Sequence, residues 1–247
     1  MDESKVLSLE KISSLNKINS IPLLGIVYGS KKKKNDLDIF LLYDFPVEKN
    51  IFINNYDLNQ IEKNNFSFKL AHKDIEYTEP ILTGVYFTGN KQILEEAKDF
   101  ILNKPVEKGV FDYLIKRSIE TFLQSKELYS SGKTNLFNEL ATNNEDCYSI
   151  KDKLFGDDFK FKSEIINKSL SVLTYSLSYL ASIKRYKEGE KFITINQISK
   201  NPISDLERNF CELRKYFKDC SKNKKLLSFR KIDNYFQKTE SLLNKNT

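Results

Sequence analysis

Two aspartates, Asp36 and Asp38, stand two positions apart in the run Asn35-Asp36-Leu37-Asp38-Ile39-Phe40-Leu41-Leu42. On a strand, residues two apart point to the same side, with Cα atoms roughly 7 Å apart. Two ionised carboxylates so placed repel by up to several kcal/mol at an effective dielectric of about 20, and a cation between them relieves that repulsion. Hard oxygen ligands suit Mg²⁺, which takes one or two carboxylates together with substrate phosphates. A few residues earlier the apolar stretch Leu23-Leu24-Gly25-Ile26-Val27-Tyr28 ends in Gly29-Ser30. Glycine lets the backbone come close to a phosphate, and the serine hydroxyl and neighbouring N–H groups can donate to it. The chemistry on offer is cation-assisted handling of a phosphate.

Composition narrows the alternatives. The chain has 247 residues and a single histidine, His72. One histidine in this setting cannot build a Ser-His-Asp triad or an H-E-x-x-H zinc site, so catalysis must run on carboxylates, lysines, hydroxyls and a bound cation. Cys147, Cys211 and Cys220 are odd in number and show no C-x-x-C spacing, which predicts neither a disulfide framework nor a structural zinc and fits a reducing cytoplasm. No apolar run approaches the ~20 residues of a membrane span, and the charged start Met1-Asp2-Glu3-Ser4-Lys5 does not look like a secretory leader. The net charge is +6, and the excess of basic residues falls after Gly109. A basic second half suits a polyanionic partner, or is simply a solvated lysine-rich surface.

The elements that must position the aspartates follow from periodicity. Val6, Leu7, Leu9, Ile12, Leu15 and Ile18 predict an amphipathic helix over 3–18, ended by Pro22. Strands are expected over 23–28 and 37–43, joined by the lysine run Lys31 to Lys34. Residues 50–64 read equally as helix or irregular loop. Strands are expected over 66–78 and 83–89, then a helix over 92–102 ended before Pro105. After Lys108 strand patterns nearly vanish, and helices are expected over 110–130, 163–186, 204–219 and 226–243. The expected fold class is α+β, with a small mixed sheet flanked by helices over 1–106 and an all-α helical bundle over 107–247.

The run from Gly25 to Leu42, with Gly29-Ser30, a short connector and Asp36-Leu37-Asp38 between two apolar strands, resembles the DNA polymerase β-like nucleotidyltransferase superfamily. The resemblance covers roughly residues 20–90. It implies that Asp36 and Asp38 hold two Mg²⁺ ions and that Gly29 and Ser30 contact the terminal phosphates of an NTP. The connector, Lys31 to Asn35, is shorter than the family's and lacks its helical piece and further glycine. Lys33 and Lys34 are then expected to cradle the triphosphate in their place. The family also uses a third carboxylate from a later strand. Here Asp74 or Glu76 would supply it from His72-Lys73-Asp74-Ile75-Glu76-Tyr77-Thr78, with Glu76 favoured because it lies between Ile75 and Tyr77. The implied activity is Mg²⁺-dependent transfer of a nucleoside monophosphate to an acceptor hydroxyl, with pyrophosphate release.

The second half bears on the acceptor. A helical bundle after such a domain resembles the C-terminal helical domains of antibiotic nucleotidyltransferases and related stand-alone bacterial and archaeal enzymes, and one reading of the acceptor is a small hydroxylated molecule of the antibiotic kind. Alternatively, Arg214-Lys215, Lys218, Lys222, Lys224-Lys225 and Arg230-Lys231, interleaved with Tyr216, Phe217 and Phe229, would track the phosphates of an RNA. A third reading is a catalytically inert binding or toxin–antitoxin module acting on RNA or a partner protein. Neither a membrane nor a disulfide partner is expected.

Overall fold

The computed structural model describes residues 21–28, 37–47, 50–53, 56–142, 160–222 and 226–246. The chain is α+β and divides into two compact units, residues 1–110 with 190–194 and residues 111–189 with 195–247. The helix expected over 3–18 lies outside the described residues.

The first unit carries a mixed sheet of β1 (Leu24–Tyr28), β2 (Leu37–Tyr43), β3 (Asn50–Ile53), β4 (Tyr56–Glu62) and β5 (Val85–Gly89), in the order β3-β4-β2-β1-β5. β2 pairs antiparallel with β1 and parallel with β4. Its apolar run is continuous because both faces are covered. Phe40 and Leu42 join Leu24, Ile26, Ile61, Phe66, Leu70, Tyr77, Ile81, Leu94 and Ile101 in one core, whereas Ile39, Leu41 and Tyr43 join Leu58 on the other face. The segment that read equally as helix or loop is a β-hairpin leading into β4. Its polar centre, Asn59 and Gln60, conceals the strand in the sequence, yet both residues are buried between neighbours.

The strand expected over 66–78 is not formed. In its place stand two helices, α1 (Lys63–Ala71) and α2 (Ile75–Thr83), followed by α3 (Lys91–Asn103). Phe66, Phe68 and Leu70 alternate as a strand face would, but Phe68 is 51% exposed while Phe66 and Leu70, four apart, are buried. That is helical spacing. Pro80, a residue that commonly ends an element, lies inside α2.

The turn between α1 and α2 is held by Lys73, which has a left-handed φ of 54° and is 1% exposed. Its Nζ donates to the carbonyls of Ile101 (2.5 Å) and Lys104 (2.9 Å), so it satisfies groups that the end of α3 leaves open. Burial, with the charge of Lys104 alongside, pulls the Lys73 ammonium from 10.5 to about 8. A depressed lysine means that the unfolded chain holds a proton which the folded one has released, between about pH 8 and 10.5. Stability is therefore expected to rise with pH across that window, and Lys73→Met to lose the rise. Denaturant midpoints for both proteins on either side of the window check it; parallel profiles would contradict the burial.

The second unit is built on α4 (Lys108–Thr142) and α5 (Glu164–Lys187), with α6 (Ile195–Lys200), α7 (Asp205–Lys222) and α8 (Phe229–Asn246) and a two-stranded ribbon of β6 (Lys160–Phe161) and β7 (Leu227–Ser228). α4 outruns the helix expected over 110–130, because Tyr129 and Leu136 continue its buried stripe. α5 buries most of its circumference between Ile166 and Tyr186, with Lys168 and Lys184 left exposed. Small residues seven apart on α4, namely Ser118, Ser125 and Gly132, let α5 approach closely. Ser118 and Ser176 donate to each other's carbonyls at 2.8 Å, and Ser125 and Ser169 do so at 2.8 and 2.9 Å. A side chain at Gly132 would collide with Ile166. No helix among the described residues is long and apolar enough to cross a membrane, and Cys211 and Cys220 are thiols.

Candidate functional site

Asp38 sits at the start of β2, half-buried, on the same strand face as Phe40 and Leu42. The apolar residues beyond it anchor the strand, and pairing on both edges fixes its backbone. Antiparallel register sets Asp38 opposite Tyr28, the last residue of β1 and the one before Gly29. Parallel register sets it beside Asp57 at the start of β4. One end of the sheet thus gathers the end of β1 and the starts of β2 and β4. Gly29, Ser30, Lys33, Lys34 and Asp36 lie outside the described residues.

Asp57 is an acid that the sequence alone did not place beside Asp38. It falls in the segment left undecided between helix and loop, so its place beside Asp38 had no visible basis. The signal available was Tyr56-Asp57-Leu58, an acid between two large apolar residues, which is the criterion that had favoured Glu76.

The expected strand bearing Asp74 and Glu76 is replaced by the start of α2. Asp74 is fully buried as the N-cap, where its Oδ1 accepts from the Glu76 N–H at 3.1 Å. Its Oδ2 lies 3.5 Å from Lys69 Nζ. This cap satisfies an open N–H at the positive end of the helix, a structural task for a carboxylate. Glu76 is half-buried in the first turn, where its charge favours the same helix end. A helix separates residues two apart by about 200° rather than aligning them, so the shared face expected of 74 and 76 does not exist. Among the described residues, no group of three or more His, Cys, Asp and Glu is placed to hold a metal ion. His72 turns back onto its own helix, its ring 4.2 Å from that of Phe68 and its Nδ1–H donating to the Phe68 carbonyl at 2.8 Å.

The chain is similar to a solved structure over most of its length. That structure is a nucleotidyltransferase-like protein from Exiguobacterium sibiricum 255-15, matched over 96% of this chain and 74% of that one, at 13% identity and a TM-score of 0.36. No family model matches the chain, and no curated protein does.

In the second unit, two aromatics of the basic stretch, Tyr216 and Phe229, pack against the fold. Phe229 stacks on Phe161 with ring centroids 4.3 Å apart, and the Tyr216 hydroxyl accepts from the Ser228 N–H at 2.8 Å. Arg214 is tied to Ser199 at 2.5 Å and lies over the Phe210 ring. Lys215, Lys218, Arg230 and Lys231 are exposed. These aromatics serve packing rather than offering bases a stacking platform. The Tyr129 hydroxyl, buried and donating to Asp233 at 2.8 Å, is pushed above the ordinary tyrosine range, first by burial and then by that bond and the charge of Asp233.

Proposed function

We propose that the chain is a nucleotidyltransferase which moves a nucleoside monophosphate from an NTP to an acceptor hydroxyl, at the sheet end where β1 stops and β2 and β4 begin. The observation that carries this reading is the in-register parallel pairing of Asp38 with Asp57, beside the strand that runs into Gly29-Ser30. Neighbouring parallel strands lie about 4.8 Å apart. Aspartates at paired positions of adjacent strands offer the hard-oxygen chemistry that Mg²⁺ takes. In this reading Asp36, Asp38 and Asp57 would hold the cation, and Asp57 would take the place first expected of Asp74 or Glu76. The cation supplies neutralisation of charge building on the α-phosphate and a lowered pKa for the attacking hydroxyl.

The chain's own groups do the rest. The Ser30 hydroxyl and the N–H groups next to Gly29 donate to the β- and γ-phosphates, while Lys33 and Lys34 offset their charge. The acceptor oxygen attacks the α-phosphorus, and the bond from that phosphorus to the bridging oxygen of the β-phosphate breaks, with pyrophosphate leaving on the electron pair. The acceptor proton passes to a carboxylate, a role that suits Asp57. The acceptor is a small hydroxylated molecule or an RNA. The packing of Tyr216 and Phe229 into the fold favours the small molecule.

The test is incubation with each labelled NTP and Mg²⁺, with and without RNA, following where the label goes. Asp57→Asn is expected to lower transfer by on the order of a hundredfold or more, and Glu76→Gln to leave it near the wild-type rate. The reverse result would return the third acid to α2. No transfer or nucleotide binding by the wild-type protein would leave an inert binding module.

A further inference from the structure

Asn59 is buried, at 5% exposure, and its Oδ1 has no hydrogen-bond partner among the described residues. A buried amide oxygen without a donor is destabilising, and native structures retain few of them. Its place in the sheet gives a reason to keep it. Asn59 stands two residues after Asp57 on β4 and is paired with Phe40, which stands two residues after Asp38 on β2. The strand period puts Asn59 on the same face as Asp38, and a diagonal pair of this kind is about 7–8 Å apart. That spacing leaves room for a bridging molecule, and an ionised carboxylate has no hydrogen to give an amide oxygen. It suits one bridging O–H donor. A Mg²⁺ ion keeps several of its waters when bound by carboxylates, and those waters are polarised donors.

We infer that Asn59 is a positioning residue whose Oδ1 accepts a hydrogen bond from a water of the divalent cation at Asp38, fixing where that cation sits. This rests on the reading of the Asp38 end as a cation site. Groups that orient metal ligands in this way typically change metal affinity by about 10–100-fold when removed.

The experiment titrates Mn²⁺ alone, followed by its paramagnetic resonance and by calorimetry, into the wild-type protein and into Asn59→Leu, Asn59→Asp and Asp38→Asn, and records the unfolding midpoint of each without metal. Asn59→Leu is expected to bind Mn²⁺ about tenfold more weakly and, having lost the orphaned oxygen, to unfold about 3 °C higher. Asn59→Asp keeps an acceptor there and should bind at least as tightly as wild type while unfolding lower, a pairing of opposite signs that a purely structural asparagine would not give. If Asp38→Asn loses Mn²⁺ while Asn59→Leu binds like wild type, the role of Asn59 is overturned and the cation site stands. If Asn59→Leu is the less stable protein without metal, the orphaned oxygen is not a liability and the inference fails. If the wild-type protein binds no Mn²⁺, both fall together.

Discussion

Asp38→Asn is expected to lower nucleotide transfer by on the order of a thousandfold while leaving the fold unchanged. Asparagine has the shape of aspartate but lacks the charge that a divalent cation needs. Asp38 is half-buried at a strand start, and the ladder holding that strand runs through backbone groups paired with Tyr28 and Asp57. Removing the charge therefore withdraws the proposed ligand without removing a packing group. A thousandfold loss is about 4 kcal/mol of transition-state stabilisation. Transfer assays with saturating Mg²⁺, alongside circular dichroism and thermal unfolding, separate the two effects. Turnover that survives the substitution would remove the central reason for placing chemistry at this end of the sheet.

The largest expected effect on stability lies in the second unit. Glu207→Ala should cost about 3–5 kcal/mol, because it strands a buried guanidinium. Arg185 Nε lies 2.7 Å from Glu207 Oε1, and Nη2 lies 3.0 Å from Oε2 and 2.6 Å from the Asn201 carbonyl. Glu207 Oε2 also accepts from the Ile203 N–H at 2.6 Å. The side chains are 5% and 0% exposed, so solvent does little to screen the pair. A two-pronged bond between them, with the loop carbonyl and N–H completing it, ties the end of α5 to the loop that opens α7. Replacing both residues by apolar side chains of similar volume is expected to recover most of the loss, since the attraction between the charges is offset by their desolvation. Denaturant unfolding of the single and double variants measures it. A single variant near wild-type stability would show that the pair is not sealed from water.

Legibility of the fold followed the range of the forces involved. β1 and β2 announce themselves because a doubly covered strand must be apolar along its length, as Ile39 to Tyr43 are. The helices of the second unit were legible from i, i+3 and i+4 spacing, which is local. The segment 66–78 misled because Phe66, Phe68 and Leu70 satisfy a period of two while Phe66 and Leu70 also satisfy a period near four. Only the packing of Phe66 and Leu70 against the sheet, with Phe68 left outside, separates the two. The strand at 56–62 was hidden for the opposite reason: polar Asn59 and Gln60 look solvated until strands stand on either side of β4.

By itself the sequence determined β1 and β2 and the presence of Asp38 at the start of the second, because residue type and local alternation are written in the chain. It determined the change from mixed to helical structure near residue 108 in the same way. Only the tertiary structure decided which third acid comes beside Asp38. Parallel pairing joins residues distant in sequence through backbone hydrogen bonds that carry no residue label, and a shift of one position would have reversed the face of every side chain on β4. The observed register puts Asp57 next to Asp38 and leaves Asp74 to cap a helix.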